Sequence, residues 1–214
     1  HYVTLNLLGS AFFLIALGMV YGTLGTLNMA DMALRLASLE PDRAALAKAA
    51  GLLLLVVFGL KAAMVPLHFW LARTYVAAIA PVAALFAVMT KVGIYSLLRI
   101  HTQVFGGFAG VDHWAPLLLW PLGIATLIVG TLGVLASPRL KALTAHLVLV
   151  SAGSLLLAVA LRSEEATVAG VFYLVHSTLV TAALFLLADM VGRQRGGLVD
   201  SLLPGLVQNT AADR

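Results

Sequence analysis

Cysteine is absent from all 214 residues, which excludes disulfides, iron–sulfur clusters and thiolate metal sites within this sequence. Charge is nearly as scarce. Asp, Glu, Lys and Arg together supply 10% of the residues, against about 25% in an ordinary soluble domain. That is too little to wet a surface of this size, so lipid is the solvent the composition implies. No two histidines stand at the i, i+4 spacing of a zinc site, and no Walker or dinucleotide glycine motif occurs. Enzyme chemistry on an organic substrate has no support in these residues, and neither a metal nor a cofactor is expected. Basic runs are also missing. The formal net charge of +4 is therefore no sign of nucleic-acid binding, because two of the thirteen cations are sunk in apolar stretches.

What the sequence does have is hydrophobic length. Apolar residues make up 62% of it, and the mean hydropathy is +1.04. A membrane-crossing helix needs about 20 mostly apolar residues. Six stretches qualify: residues 2–25, 49–79 (broken near Pro66), 81–103, 114–136, 142–161 and 166–190. Strand-like alternation is nowhere sustained, so all six are expected to be helices. The fold class is an all-α polytopic membrane protein embedded in a lipid bilayer. Between the first two spans, Met32, Leu34, Leu36 and Leu46 suit a short interfacial helix around the turn Glu40–Arg43. Gly196-Gly197 predicts the end of the last helix, with residues 197–214 as a soluble tail. No charged leader precedes the first apolar stretch, and the sequence reads as an internal piece of a longer chain.

Orientation is weakly encoded. Arg35, Arg43, Lys48, Arg99 and Arg162 fall on one face of the membrane, and Arg73, Arg139, Lys141, Arg193 and Arg195 on the other. The second face has fewer acids and shorter connections, which points to it as cytoplasmic. The string Gly-Thr-Leu-Gly occurs twice, at Gly22–Gly25 and Gly130–Gly133. Small residues let membrane helices approach closely, so helix packing explains both copies without an internal repeat.

Lys61 is the sharpest feature. Twelve uncharged residues precede it and eleven follow, so it cannot easily reach either interface. A lysine at mid-bilayer costs roughly 2.5–3.5 kcal/mol on insertion scales. The charge must therefore face protein or water, either as a structural lysine paired with a carboxylate or as a proton carrier. Lys91 repeats the pattern, with seventeen uncharged residues before it and seven before Arg99, although snorkelling is easier there. A carrier has to release its proton near neutral pH, and both dry surroundings and a neighbouring like charge favour a neutral amine.

Pro66 lacks an N–H and loosens the helix beside Lys61, as a plain kink or as the break that lines a transport site. His68 can relay protons or cap the broken end. His146 can serve as a packing residue or a relay member. His176, with Ser177, Thr178 and Thr181, forms a polar run that suits a water wire. Lys141, close after Pro138, can simply reach the interface.

The stretch Gly59-Leu-Lys61-Ala-Ala-Met-Val-Pro66-Leu-His68-Phe-Trp70-Leu, followed by Ala80-Pro81 and Met89-Thr-Lys91-Val-Gly-Ile-Tyr95, resembles the proton-translocating module of the antiporter-like family. That family includes the large membrane subunits of complex I and of multisubunit Mrp-type (Pha, Mnh) monovalent cation/proton antiporters. The D-subunit family of the Mrp type is most similar. The likeness extends to Tyr21-Gly-Thr-Leu-Gly-Thr-Leu-Asn28-Met-Ala-Asp31 and to the run from His176 to Asp189.

The resemblance implies a fourteen-helix fold of inverted repeats, of which this chain would hold the sixth to the eleventh. Lys61 would be the lysine of the broken seventh helix, Lys91 the connecting lysine of the eighth, and His176 the histidine of the eleventh. The partners implied are other subunits of a hetero-oligomeric complex, protons, and Na+ or K+. The location implied is a bacterial plasma membrane. A proton-pumping subunit of complex I is the alternative. Three departures from the family pattern add expectations. Ala72 stands where a proline is usual, and Thr181 where many relatives have lysine. Val148 and Val150 replace polar residues, which predicts a drier fifth span.

Overall fold

The computed structural model of the protein describes residues 2–106 and 114–212, and every regular element among them is a helix. In chain order these are α1 (Tyr2–Leu24), α2 (Met29–Ala37), α3 (Pro41–Lys61), α4 (Phe69–Ala77), α5 (Ala80–Arg99, continued by a π-helical turn Ile100–Val104), α6 (Trp114–Leu135), α7 (Leu140–Leu161) and α8 (Glu164–Ala212). Among the described residues six helices are long and apolar enough to cross a membrane, with α2 and α4 too short. Side chains such as Leu7, Leu14, Leu132 and Phe172 face outward. Apolar outer faces on α1, α6 and α8 belong in lipid rather than water.

The short α2 carries the interfacial pattern expected of it. Met32 and Leu36 are buried, while Leu34 and, on α3, Leu46 point outward. Asn28 caps the helix by accepting from the Ala30 N–H at 3.0 Å. Arg35 donates to the Leu24 carbonyl at 2.8 Å, tying α2 to the end of α1. The same side chain hydrogen-bonds the Asp31 carboxyl and holds it below the usual carboxylate range.

The two Gly-Thr-Leu-Gly strings do different work. In α6, a Cβ on Gly130 would stand 2.8 Å from the Val150 nitrogen, and one on Gly133 2.0 Å from the His146 ring. Opposite them, Gly153 of α7 meets the Leu127 backbone at 2.6 Å in the same sense. Helices α6 and α7 are thus pressed together through glycine contacts. In α1, Gly22 has nothing within 4 Å, and Gly25 ends the helix at φ +70°. Packing explains the second copy; a left-handed C-terminal turn explains the first.

The core falls into three apolar clusters. One joins α1, α2 and α3 around Leu36, Leu54 and Phe105. A second joins α3, α5, α6 and α7 around Leu97, Leu119 and Leu156. The third sits around Tyr75 and Phe185, where α4 meets α5, α7 and α8. At the far end α8 stays helical to Ala212, past Gly196 and Gly197, where the glycine pair predicts a break.

Candidate functional site

The break in the second span is built before the proline is reached. Helix α3 stops at Lys61, five residues ahead of Pro66, and α4 starts at Phe69. The Met64 N–H reaches back to the Gly59 carbonyl at 2.8 Å, and the Ala63 N–H to Leu60 at 3.2 Å. This pair of bonds is the Schellman pattern, which needs a left-handed residue at the first of its two donors. Glycine normally fills that place, but here Ala63 does so, at φ 56° and fully buried. A left-handed alanine costs about 1–2 kcal/mol. So the chain turns where Pro66 alone would not have turned it.

Two side chains support the opened backbone. The Trp70 indole donates to the Leu60 carbonyl at 3.0 Å, and Thr126 of α6 accepts from the Val65 N–H at 3.0 Å. Buried backbone groups freed by a break must find such partners.

Lys61 is the last residue of α3, where the carbonyl end of the helix favours a cation. Its Nζ donates to the Asn6 side-chain oxygen on α1. A cavity of about 20 Å³ lies against it, lined also by Asn6, Trp70 and Met89. That is room for a single water. A larger groove of about 360 Å³, also lined by Lys61, opens between α1, α3 and α5. Lys61 is therefore half-buried at the edge of open space.

Lys91, on α5, is 1% exposed. Its Nζ donates to Ser151 Oγ on α7, and Ser151 in turn donates to the Val148 carbonyl at 2.8 Å. Next to it, Thr90 shares a 2.7 Å hydrogen bond with the buried Tyr75 hydroxyl on α4. The expectation of a dry fifth span is thus corrected at one point. Val148 is apolar, but Ser151 on the same helix supplies the partner that Lys91 needs.

Gly93 sets the distance between the two lysines. A Cβ there would stand 2.9 Å from the Ala62 nitrogen and 3.0 Å from Lys61 Cβ. The broken end of α3 thus lies directly on α5, two residues from Lys91. Residues two apart on a helix face different ways, so Lys61 and Lys91 flank α5. Among the described residues no side-chain hydrogen bond joins them, and neither forms an ion pair with a carboxylate.

The histidines separate. His68 begins α4 without a capping side-chain bond, and its Nδ1 is buried with no hydrogen-bond partner. His146 is half-buried, its Nδ1 3.0 Å from Ser137 Oγ and 2.8 Å from the Ala142 carbonyl. His68 and His146 lie within electrostatic reach of one another. On α8 the polar run divides: Ser177 and Thr181 are buried, whereas His176 is exposed. Thr181 Oγ1 donates to the Ser177 carbonyl at 2.7 Å, and neither it nor His176 hydrogen-bonds a lysine among the described residues. Lys141 does more than reach the interface, since it pairs with Asp189 at 3.1 Å, which Arg193 also holds at 2.9 Å. No group of three His, Asp or Glu is placed to hold a metal among the described residues.

Asn6, Ser151, Thr126 and Gly93 are the residues that sequence reasoning passed over. Each is a single polar or small residue in an apolar span, and that isolation is the only sign the sequence offers.

Residues 1–203 match the family described as NADH:quinone oxidoreductase/Mrp antiporter, transmembrane. A protein of Rhizobium meliloti (strain 1021), named as the probable D-subunit of a K(+)/H(+) antiporter, is 46% identical over 203 residues, covering 94% of this chain and 38% of that protein. The D-subunit of the Na(+)/H(+) antiporter of Bacillus subtilis (strain 168) is 36% identical, covering 87% and 37%. The chain thus spans less than two fifths of the length of these curated relatives. Among solved structures, a chain of the Mrp complex from Dietzia sp. DQ12-45-1b superposes with a TM-score of 0.77 at 35% identity, over 86% of this chain and 33% of that one. A chain of the archaeal membrane-bound sulfane sulfur reductase gives 0.76 at 28% identity, over 86% and 37%.

Proposed function

Because this chain belongs to the NADH:quinone oxidoreductase/Mrp antiporter transmembrane family, we propose that it is the central membrane portion of the D-subunit of a multisubunit Na+/H+ or K+/H+ antiporter. In this reading it is a transporter part rather than an enzyme, and it passes protons through Lys61 and Lys91. The observation that carries the reading is Lys91. It is a lysine with 1% exposure, no carboxylate pair among the described residues, and one hydroxyl partner. A purely structural lysine would be expected to have a carboxylate, because an unpaired buried charge is expensive. A lysine that gives up its proton in part of its cycle does not need one.

Lys61 sits at the other flank of α5 on a broken helix, beside a cavity with room for one water. Proton transfer across α5 runs through water or through the Thr90–Tyr75 hydroxyls, since no direct bond links the lysines. His68 and His146 extend the path on the α4–α7 side, and Ser177 and Thr181 line its α8 side. His176, on the outer face, would join only through a neighbouring segment. The names of the relatives at 46% and 36% identity support a part of an antiporter over a part of complex I. The other subunits of the complex, the bilayer of a bacterial plasma membrane, and Na+ or K+ as the exchanged ion follow from the same reading.

The test is cation-dependent proton exchange in vesicles holding the assembled complex. Lys61→Ala is expected to abolish exchange while the complex still assembles. Normal exchange by an assembled Lys61→Ala complex would sink the relay.

A further inference from the structure

Three hydrogen-bond contacts around His146, two of them its own, together fix where its proton sits. Ser137, in the turn between α6 and α7, donates its hydroxyl to the Gly133 carbonyl at 2.6 Å. The same Ser137 Oγ lies 3.0 Å from His146 Nδ1, and the Ala142 carbonyl lies 2.8 Å from that nitrogen. A carbonyl has no proton to give. Ser137 has one, and the shorter contact to Gly133 takes it. Only an Nδ1–H satisfies all three contacts, donating to Ala142 and Ser137 together. An Nδ1 lone pair would face the Ala142 oxygen lone pairs and leave Ser137 with two acceptors for a single proton.

The opposite edge of the ring is held by shape. It lies over Gly133, where a Cβ would stand 2.0 Å from Cδ2 and 2.7 Å from Nε2. Any side chain at residue 133 would push the imidazole away. Nε2 meets no hydrogen-bond partner among the described residues. The Nδ1 of His68, within electrostatic reach, has none either.

We propose that Ser137 and Gly133 are positioning residues that lock His146 in its Nδ1-protonated tautomer, so that Nε2 is the one nitrogen through which this ring takes up and releases a proton. In water the neutral imidazole favours the Nε2–H form, so the lock reverses the default. A histidine free to exchange tautomers can pass a proton through itself and must then reset by turning. A locked one accepts and returns the proton on the same edge, here the edge laid on α6. This rests on the proton path proposed above, and it adds the direction from which His146 is addressed.

Ring-15N-histidine spectra of the full-length protein in the assembled complex test it, with the His146 signals assigned by their loss in H146N. The wild type is expected to show Nδ1–H and a bare Nε2. Ser137→Ala should shift the tautomer ratio about fivefold toward Nε2–H, the weight of one net hydrogen bond, and slow exchange severalfold. Ser137→Thr, which keeps the hydroxyl, should restore both. An Nε2–H wild type, or a ratio unmoved by Ser137→Ala, would overturn the lock. A shifted ratio with unchanged exchange would overturn the role of Nε2. The spectral outcomes do not depend on Lys61→Ala, whose failure would remove the path while the spectra still reported on the lock.

Discussion

The two lysines face opposite conditions. Lys61 ends a helix, leans on Asn6 and borders a groove of about 360 Å³. Lys91 sits mid-helix, sealed to 1% exposure, with Ser151 as its partner. One is placed to meet whatever fills the groove or the small cavity beside it. The other is placed to be reached only from inside the bundle. Under the proposed proton path, this would be the difference between a group that takes its proton from an opening and one that receives it from a neighbour. A single glycine, Gly93, keeps the two within one α5 thickness of each other.

Exchange measurements give the largest expected separation. Lys61→Ala should reduce exchange below detection with assembly intact. Lys91→Met, which removes the amine at similar volume, should also cost at least about tenfold, the weight of roughly 1.4 kcal/mol. Thermal stability should split the pair. Removing a sealed ammonium in favour of an apolar chain of similar volume is neutral or stabilising, so Lys91→Met should hold or raise the Tm while exchange falls. A large drop in Tm for Lys91→Met would make Lys91 structural and break the contrast.

Gly93→Ala comes next, because it strikes both sites at once. Its Cβ would meet the Ala62 nitrogen at 2.9 Å, and overpacking of this kind costs about 1–3 kcal/mol. Chemical denaturation of the purified complex should show the loss. An unchanged midpoint would mean that α3 and α5 are not in contact there.

Ser151→Ala and Asn6→Ala sharpen the contrast at smaller scale. A hydrogen bond to a charged group contributes roughly 1.5–3 kcal/mol, and the full amount is expected only where no water can substitute. Ser151→Ala should therefore lower exchange by tenfold or more, and Asn6→Ala by only a few fold. Equal effects would mean that Lys91 is wetter than its burial indicates. Smallest of all is Ala63→Gly. It relieves about 1–2 kcal/mol of left-handed strain but loses a buried methyl, about 0.8 kcal/mol, so the measured stability should move by less than about 1 kcal/mol.

Much of the architecture was legible without coordinates. Six long apolar stretches in a chain with 10% charge can only be membrane helices, and a charge stranded in such a stretch declares itself. The partners did not. Asn6 and Ser151 look like ordinary polar residues of membrane helices until α1 is laid on α3 and α5 on α7. Thr126 is equally silent, because its role depends on a backbone break more than sixty residues away. Pro66 pointed to the right region for an incomplete reason, since the local turn is made by Ala63, a residue with no reputation for left-handed backbone. The polar run on α8 divides in the fold. Its residues are close in sequence, but a helix sends His176 outward and Ser177 and Thr181 inward.

Which residues cannot rest in lipid is written in the chain itself, because the cost of a bare charge or open backbone there depends on little beyond the residue and its flanks. That is why Lys61, Lys91 and the broken span could be named before any helix was placed. What each of them meets was set by the folded arrangement, because a hydrogen bond or a glycine contact depends on ångström-scale approach between helices far apart in the chain. The two identical Gly-Thr-Leu-Gly strings mark the boundary. Their four residues are the same, yet one closes a helix and the other seats His146 against α6, because only in the second do both glycines face a neighbouring helix at close range.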